Sequence, residues 1–203
     1  MKQKTVLLLI IIAAFIAGAA FLLNSKKHLY DSRGYNMKVS KIVIPAAGYG
    51  TRFLPFTKSI PKEMLPLVNK PALQNVIEEG IAAGIRSFGI IINDDKQEIK
   101  HYFSFDKKLQ TALDSLNKGA ALTPLNNLID STNFTYISQP KMMGLGHAVL
   151  LAKNFCKNEY FGVILPDDII ADDVSTIGEM IKVAQEHEAI VIGVQEVEPH
   201  EIS

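Results

Sequence analysis

Lys41-Ile42-Val43-Ile44-Pro45-Ala46-Ala47-Gly48-Tyr49-Gly50-Thr51-Arg52-Phe53-Leu54-Pro55 is the stretch on which the fold turns. Ile42-Val43-Ile44 is a fully apolar run ended by a proline, and a turn of small residues and two glycines follows at once. A short strand with no polar alternation belongs to a sheet buried on both faces. The chain beyond it keeps the same rhythm. Asn69 is placed to cap a helix with Pro71 in its first turn, Leu73, Val76, Ile77 and Ile81 on one face, and Gly84 at its end. Phe88 to Ile92 reads as the next strand, closed by Asn93-Asp94-Asp95, and a helical stretch carries Ile99, Tyr102, Phe103, Leu109, Leu113 and Leu116. Phe134 to Ser138 is a strand, Leu145 to Phe155 a helix, Phe161 to Leu165 a strand, Ile177 to His187 a helix and Ala189 to Val194 a last strand. This order predicts an α/β fold, a mostly parallel sheet with helices on both faces. Such sheets bind ligands beyond the carboxyl ends of their strands, so chemistry is sought after Ile44, Ile92, Ser138 and Leu165.

The whole chain has 203 residues, with 21 basic and 21 acidic side chains and no formal net charge. With no basic excess to neutralise phosphates, a nucleic-acid partner is not expected. The single cysteine, Cys156, rules out an internal disulfide and falls in a helical pattern, where core packing is its expected role. An apolar share of 48% separates the chain from disordered sequences, and the excess sits at the front. Val6 to Leu23 carries no charge and follows Lys2 and Lys4. A bilayer core about 30 Å thick needs roughly 20 such residues. Residues 1–24 therefore read as a hydrophobic anchor or signal segment, with Ala17-Gly18-Ala19 a candidate cleavage site and Met37 an alternative start. Lys26, Lys27 and Arg33 on the far flank leave orientation open. Residues 25–40 are polar and read as a linker, and 41–203 as the domain.

The glycine-rich turn can bring its backbone close to a ligand and point N–H groups at an anion. Arg52 adds a forked, permanently charged donor, and Lys62 a second cation. The alternative is an ordinary strand-to-helix turn with a surface Arg and Lys. No Gly-Lys-Ser/Thr follows, and Phe53 stands where a dinucleotide fingerprint has its third glycine, so neither common phosphate loop is present. Gln139 offers both a donor and an acceptor, and Gly144 precedes a helix start. Asp167 and Asp168 end an apolar strand, where neighbouring carboxylates repel unless a cation or a turn uses them. Magnesium, which takes oxygen ligands together with substrate phosphates, suits such a place. No persuasive Ser/His or Cys/His pair is visible.

Taken whole, Gly48-x-Gly50-Thr51-Arg52-Phe53-Leu54-Pro55 with Pro61-Lys62-Glu63-Met64-Leu65-Pro66 resembles the signature of the sugar-nucleotide pyrophosphorylases, and among them the bacterial UTP–glucose-1-phosphate uridylyltransferases. Gly144-Leu145-Gly146-His147-Ala148-Val149 resembles the same group, and the similarity runs from about Lys41 to about Val197. The resemblance implies the Rossmann-like nucleotide-diphospho-sugar transferase fold. It also implies an enzyme that forms UDP-glucose and pyrophosphate from UTP and glucose 1-phosphate, with magnesium as cofactor and no protein nucleophile. By the same resemblance Ala46, Ala47 and Gly48 lie against uracil and ribose, while Gly50, Thr51, Arg52 and Lys62 hold phosphate. Glu63 sits near the base, Gln139 and Gly144 read uracil, and Asp167 holds magnesium. The resemblance makes Arg52 and Lys62 the catalytic cations; His147 is read as structural and Asp168 as a residue that caps the turn or supports Asp167 from behind.

The related enzymes continue well past the position of Ser203, into their sugar-phosphate residues and a second magnesium carboxylate. The domain is therefore expected to be C-terminally truncated, its UTP half present. A UTP- or UDP-sugar-binding remnant, a membrane-tethered scaffold and a thymidylyltransferase are the alternatives, and self-association stays open. Because UTP is cytosolic, the domain is expected to face the cytoplasm, whether anchored by residues 6–23 or soluble from Met37.

Overall fold

Ile42, Val43 and Ile44 are inaccessible to solvent because strand β1 (Lys41–Pro45) lies inside a sheet covered on both faces. The structure is a computed structural model that describes residues 37–170 and 174–194. The expected anchor and most of the linker lie outside the described residues. Among the described residues no helix is long and apolar enough to cross a membrane.

After β1 the chain makes short 3-10 turns and a small antiparallel hairpin of β2 (Pro66–Leu67) and β3 (Lys70–Pro71). Helix α1 (Ala72–Ala82) and strand β4 (Ser87–Ile92) follow, then helices α2 (Gln97–Tyr102), α3 (Lys107–Ser115) and α4 (Thr123–Asp130). Strand β5 (Asn133–Ser138), helices α5 (Leu145–Leu151) and α6 (Lys153–Cys156), strand β6 (Phe161–Val163) and helix α7 (Thr176–His187) complete the order. The sheet runs β5-β4-β1-β6 and every pairing in it is parallel. β4 and β5 step away from β1 on one side and β6 joins on the other, so the strand order reverses beside β1. The crevice at such a reversal is where this architecture binds ligands.

Side-chain alternation sends each strand's residues to two separate cores. Ile42, Ile44, Phe88, Ile90 and Ile92 meet Leu73, Val76 and Ile77 of α1 and Ile177, Met180 and Ile181 of α7 on one face. Val43, Ile91, Phe161 and Val163 meet Ala148, Ala152 and Cys156 on the other. Cys156 is buried as expected, and burial pushes its thiol up to about 11.

Several boundaries differ from the sequence expectation. Asn69 is no helix cap: it sits in the β2–β3 turn, and Pro71 occupies the cap position of α1. The long helical stretch after Asp95 is two helices, because the Asp106 carboxylate accepts the Leu109 N–H at 2.9 Å and starts α3 anew. Helix α4 was not expected; Pro124 lies in its first turn, where a missing N–H costs nothing. The predicted helix Leu145–Phe155 breaks at Ala152 into α5 and α6, and Ala189–Val194 contains a single bridge residue, Ile192, and no strand. Strand β6 ends at Val163, two residues early, although the Ile164 N–H still donates to the Val43 carbonyl at 3.1 Å.

Two positions test this packing. A Cβ on Gly80 of α1 would stand 2.6 Å from Ile42 Cδ1 and 2.7 Å from Phe88 Cε1. Gly80→Ala is therefore expected to lose about 1–2 kcal/mol in urea unfolding, the overpacking outweighing the gain in helix propensity. Among the described residues the Tyr136 hydroxyl is buried without a partner, and burial raises it from 10.0 to about 12. The folded protein holds this proton where the unfolded chain has lost it, so stability should fall as pH rises from 10 to 12. Tyr136→Phe should flatten that fall and leave stability at neutral pH unchanged or higher, as paired urea titrations at pH 7.5 and 10.5 would show.

Candidate functional site

The carboxyl ends of the parallel strands share one edge of the sheet, and the sequence-predicted residues are distributed along it. Ala46 and Ala47 continue directly from β1 and are buried. The Ala46 N–H extends the ladder to the Ile91 carbonyl at 2.7 Å. Gly50 then turns the chain with φ of 65°, a left-handed conformation that glycine adopts without strain. A Cβ there would also lie 3.0 Å from Lys62 Cβ and from Thr57 Cγ2. The Gly50 carbonyl accepts the Thr57 hydroxyl at 2.8 Å, which folds residues 50–57 back on themselves. Thr51 and Arg52 occupy a 3-10 turn on the exposed crest, and Arg52 has 85% of its side chain in solvent.

Lys62 returns beside this crest, and Asp167 reaches it from beyond β6. Lys62 Nζ lies 2.7 Å from Asp167 Oδ2, and Arg52 Nη2 stands 3.8 Å from the same oxygen. Two cations and one carboxylate, far apart in sequence, thus meet where the strand order reverses. Asp168 is half-buried, and burial together with the Asp167 charge raises its carboxyl. A cleft of about 550 Å³ opens here, lined by Phe53, Lys62, Glu63, Leu67, Asp167 and Ile169 among others, within the size range of small-molecule sites.

Among the described residues no group of three or more His, Cys, Asp or Glu side chains is placed to hold a metal ion. Magnesium is commonly held by one or two carboxylates with substrate phosphates and water. The Asp167 position therefore fits a cation that arrives with a phosphate ligand.

Gln139 and Gly144 stand at the other end of the edge, beyond β5. Three strand spacings separate β5 from β6, roughly 14 Å. Gln139 is 2% exposed, and its amide nitrogen faces the Gly144 carbonyl at 3.3 Å and His147 Nδ1 at 3.0 Å. Those contacts tie the 139–147 loop together, with His147 as one of its partners.

Two functional candidates were missed in the sequence, Lys96 and Asn93, in the turn after β4. Lys96 is 6% exposed; its ammonium donates to the Ala46 carbonyl at 2.7 Å and to Glu63 Oε2 at 2.7 Å. Asn93 Nδ2 donates to the Ala47 carbonyl at 3.1 Å. Burial pushes the Glu63 carboxyl up and the Lys96 ammonium down, each opposed by the other's charge. The available signal was position: both follow a parallel strand at its carboxyl end.

The nucleotidyl transferase family profile matches residues 41–202. The chain belongs to the nucleotidyl transferase family. A UTP–glucose-1-phosphate uridylyltransferase of Staphylococcus epidermidis is 43% identical over 160 residues, covering 79% of this chain and 56% of that protein. The UTP-bound enzyme from Acinetobacter baumannii superposes with a TM-score of 0.71 at 35% identity, covering 75% of this chain and 54% of the other. A UDP-glucose pyrophosphorylase complexed with UDP-glucose gives 0.65 at 40% identity, covering 75% and 55%. The chain thus spans little more than half the length of these relatives.

The buried Lys96–Glu63 pair and the accessible cluster around Asp167 should respond differently to removal of one partner. Lys96→Met would strand a buried carboxylate and is expected to cost about 3–5 kcal/mol in urea unfolding. Asp167→Asn, at a half-exposed pair, should change stability by about 1 kcal/mol or less.

Proposed function

We propose that this chain is the UTP-binding part of a UTP–glucose-1-phosphate uridylyltransferase. The observation that carries the reading is the meeting of Arg52, Lys62 and Asp167 at the strand-order reversal. In the proposed reaction a phosphate oxygen of glucose 1-phosphate attacks the α-phosphorus of UTP, and pyrophosphate leaves. Arg52 and Lys62 neutralise the charge that builds on the leaving pyrophosphate, and Gly50 and Thr51 present backbone donors to the same phosphates. Ala46, Ala47, Gly48 and Glu63 border the nucleoside, with Gln139 and Gly144 at the uracil end. Asp167 would hold magnesium, which when bound neutralises phosphate charge and helps fix the in-line geometry. A sugar phosphate already carries its nucleophile, so positioning and charge neutralisation account for the chemistry. Residues 1–24 are read as a hydrophobic anchor or signal segment and 25–40 as a linker; the domain faces the compartment that holds UTP, whether anchored by residues 6–23 or soluble from Met37.

Titration calorimetry with UTP, with and without magnesium, tests the binding half of this reading. A UDP-glucose formation assay tests turnover. UTP binding strengthened by magnesium is expected, and Arg52→Ala should weaken it about tenfold or more while leaving the melting temperature unchanged. Binding without UDP-glucose formation would reduce the chain to a nucleotide-binding unit, and no binding would refute the reading.

A further inference from the structure

The Lys96 ammonium is nearly sealed from solvent and joins three separate segments: its own turn after β4, the Ala46 carbonyl and the Glu63 carboxylate. Ala46 and Glu63 bracket the whole glycine-rich excursion, so one side chain pins both of its ends. Asn93 from the same turn holds the next carbonyl, that of Ala47. The Asn93 side-chain oxygen in turn accepts the Asp95 N–H at 3.1 Å, which fixes the amide's orientation.

The consequence follows from peptide geometry. In a trans peptide the carbonyl and the following N–H point in opposite directions. With the Ala46 and Ala47 carbonyls drawn toward Lys96 and Asn93, the N–H groups of Ala47 and Gly48 are directed away from that turn. Neither has a protein acceptor among the described residues, although Ala47 is only 3% exposed. Buried amides of this kind are usually paired, and a ligand can supply the missing acceptor.

We infer that Lys96 is a positioning residue: its bonds to the Ala46 carbonyl and to Glu63 set the peptide planes that present the Ala47 and Gly48 N–H groups to the nucleoside part of a bound nucleotide. The inference rests on the nucleotide reading above for the identity of the ligand, but not for the loop geometry. Arg52 and Lys62 make the phosphate contacts separately, so the two parts of the ligand can be distinguished.

The test uses four forms of the full chain: wild type, Lys96→Met, Glu63→Gln, and the double variant Lys96→Met/Glu63→Gln. The double variant removes the stranded carboxylate and supplies a folded comparison where Lys96→Met alone is too unstable. UTP and inorganic tripolyphosphate are titrated into each by calorimetry, and the amide cross-peaks of Ala47 and Gly48 are followed by NMR. The double variant is expected to bind UTP about tenfold or more weakly than Glu63→Gln, with tripolyphosphate affinity unchanged and both cross-peaks shifted or broadened. Equal UTP affinity in those two folded variants would overturn the inference. So would a parallel loss of tripolyphosphate binding, which marks general loss of structure. Should wild type bind no UTP, the nucleotide reading falls, and the cross-peaks then decide the loop role alone: displaced in the double variant they sustain it, unmoved they overturn it.

Discussion

Strand β1 is hydrogen-bonded along both edges, by β4 over five residue pairs and by β6 over three, all in parallel register. That double pairing constrains everything else. Its two neighbours belong to opposite halves of the topology, so the crevice between the halves opens where β1 ends. The residues that leave β1 are therefore small, since larger side chains would fill the space that the reversal creates. Because the strands are parallel, each returns only after a crossover, and the loops that carry polar residues gather on one edge.

This arrangement explains how residues scattered through the sequence come to act together. Arg52 and Lys62 reach the site from the excursion after β1, Lys96 from the turn after β4, and Asp167 from beyond β6. Their charges are handled in two ways. Lys62 and Arg52 share an accessible carboxylate that solvent or a ligand can compete for, whereas Lys96 and Glu63 are sealed together. The first arrangement suits exchange of partners, and the second suits permanence.

Much of this was legible in the sequence. Apolar runs marked the central strands, and small residues with two glycines marked the loop, because both follow from local chemistry. The edges of elements were less legible. The hairpin around Asn69 and the break at Ala152 are set by backbone pairing and by packing against α1 and the sheet, which no local pattern records. Helix α4 was missed because it buries only Leu128, too narrow a stripe to stand out. Lys96 was missed for a different reason. A lysine at the head of a helix looks like an ordinary solvated cation, and only the approach of Ala46 and Glu63 from other segments gives it a buried role.

The polarity of the parallel sheet has a geometric consequence for attachment. Met37 and Val39 are packed into the core, and the Met37 carbonyl accepts the Gln185 amide of α7 at 2.8 Å. Chain ahead of Met37 therefore joins the fold at the amino ends of the strands. The ligand crevice lies at the opposite edge, about 17 Å away along β1.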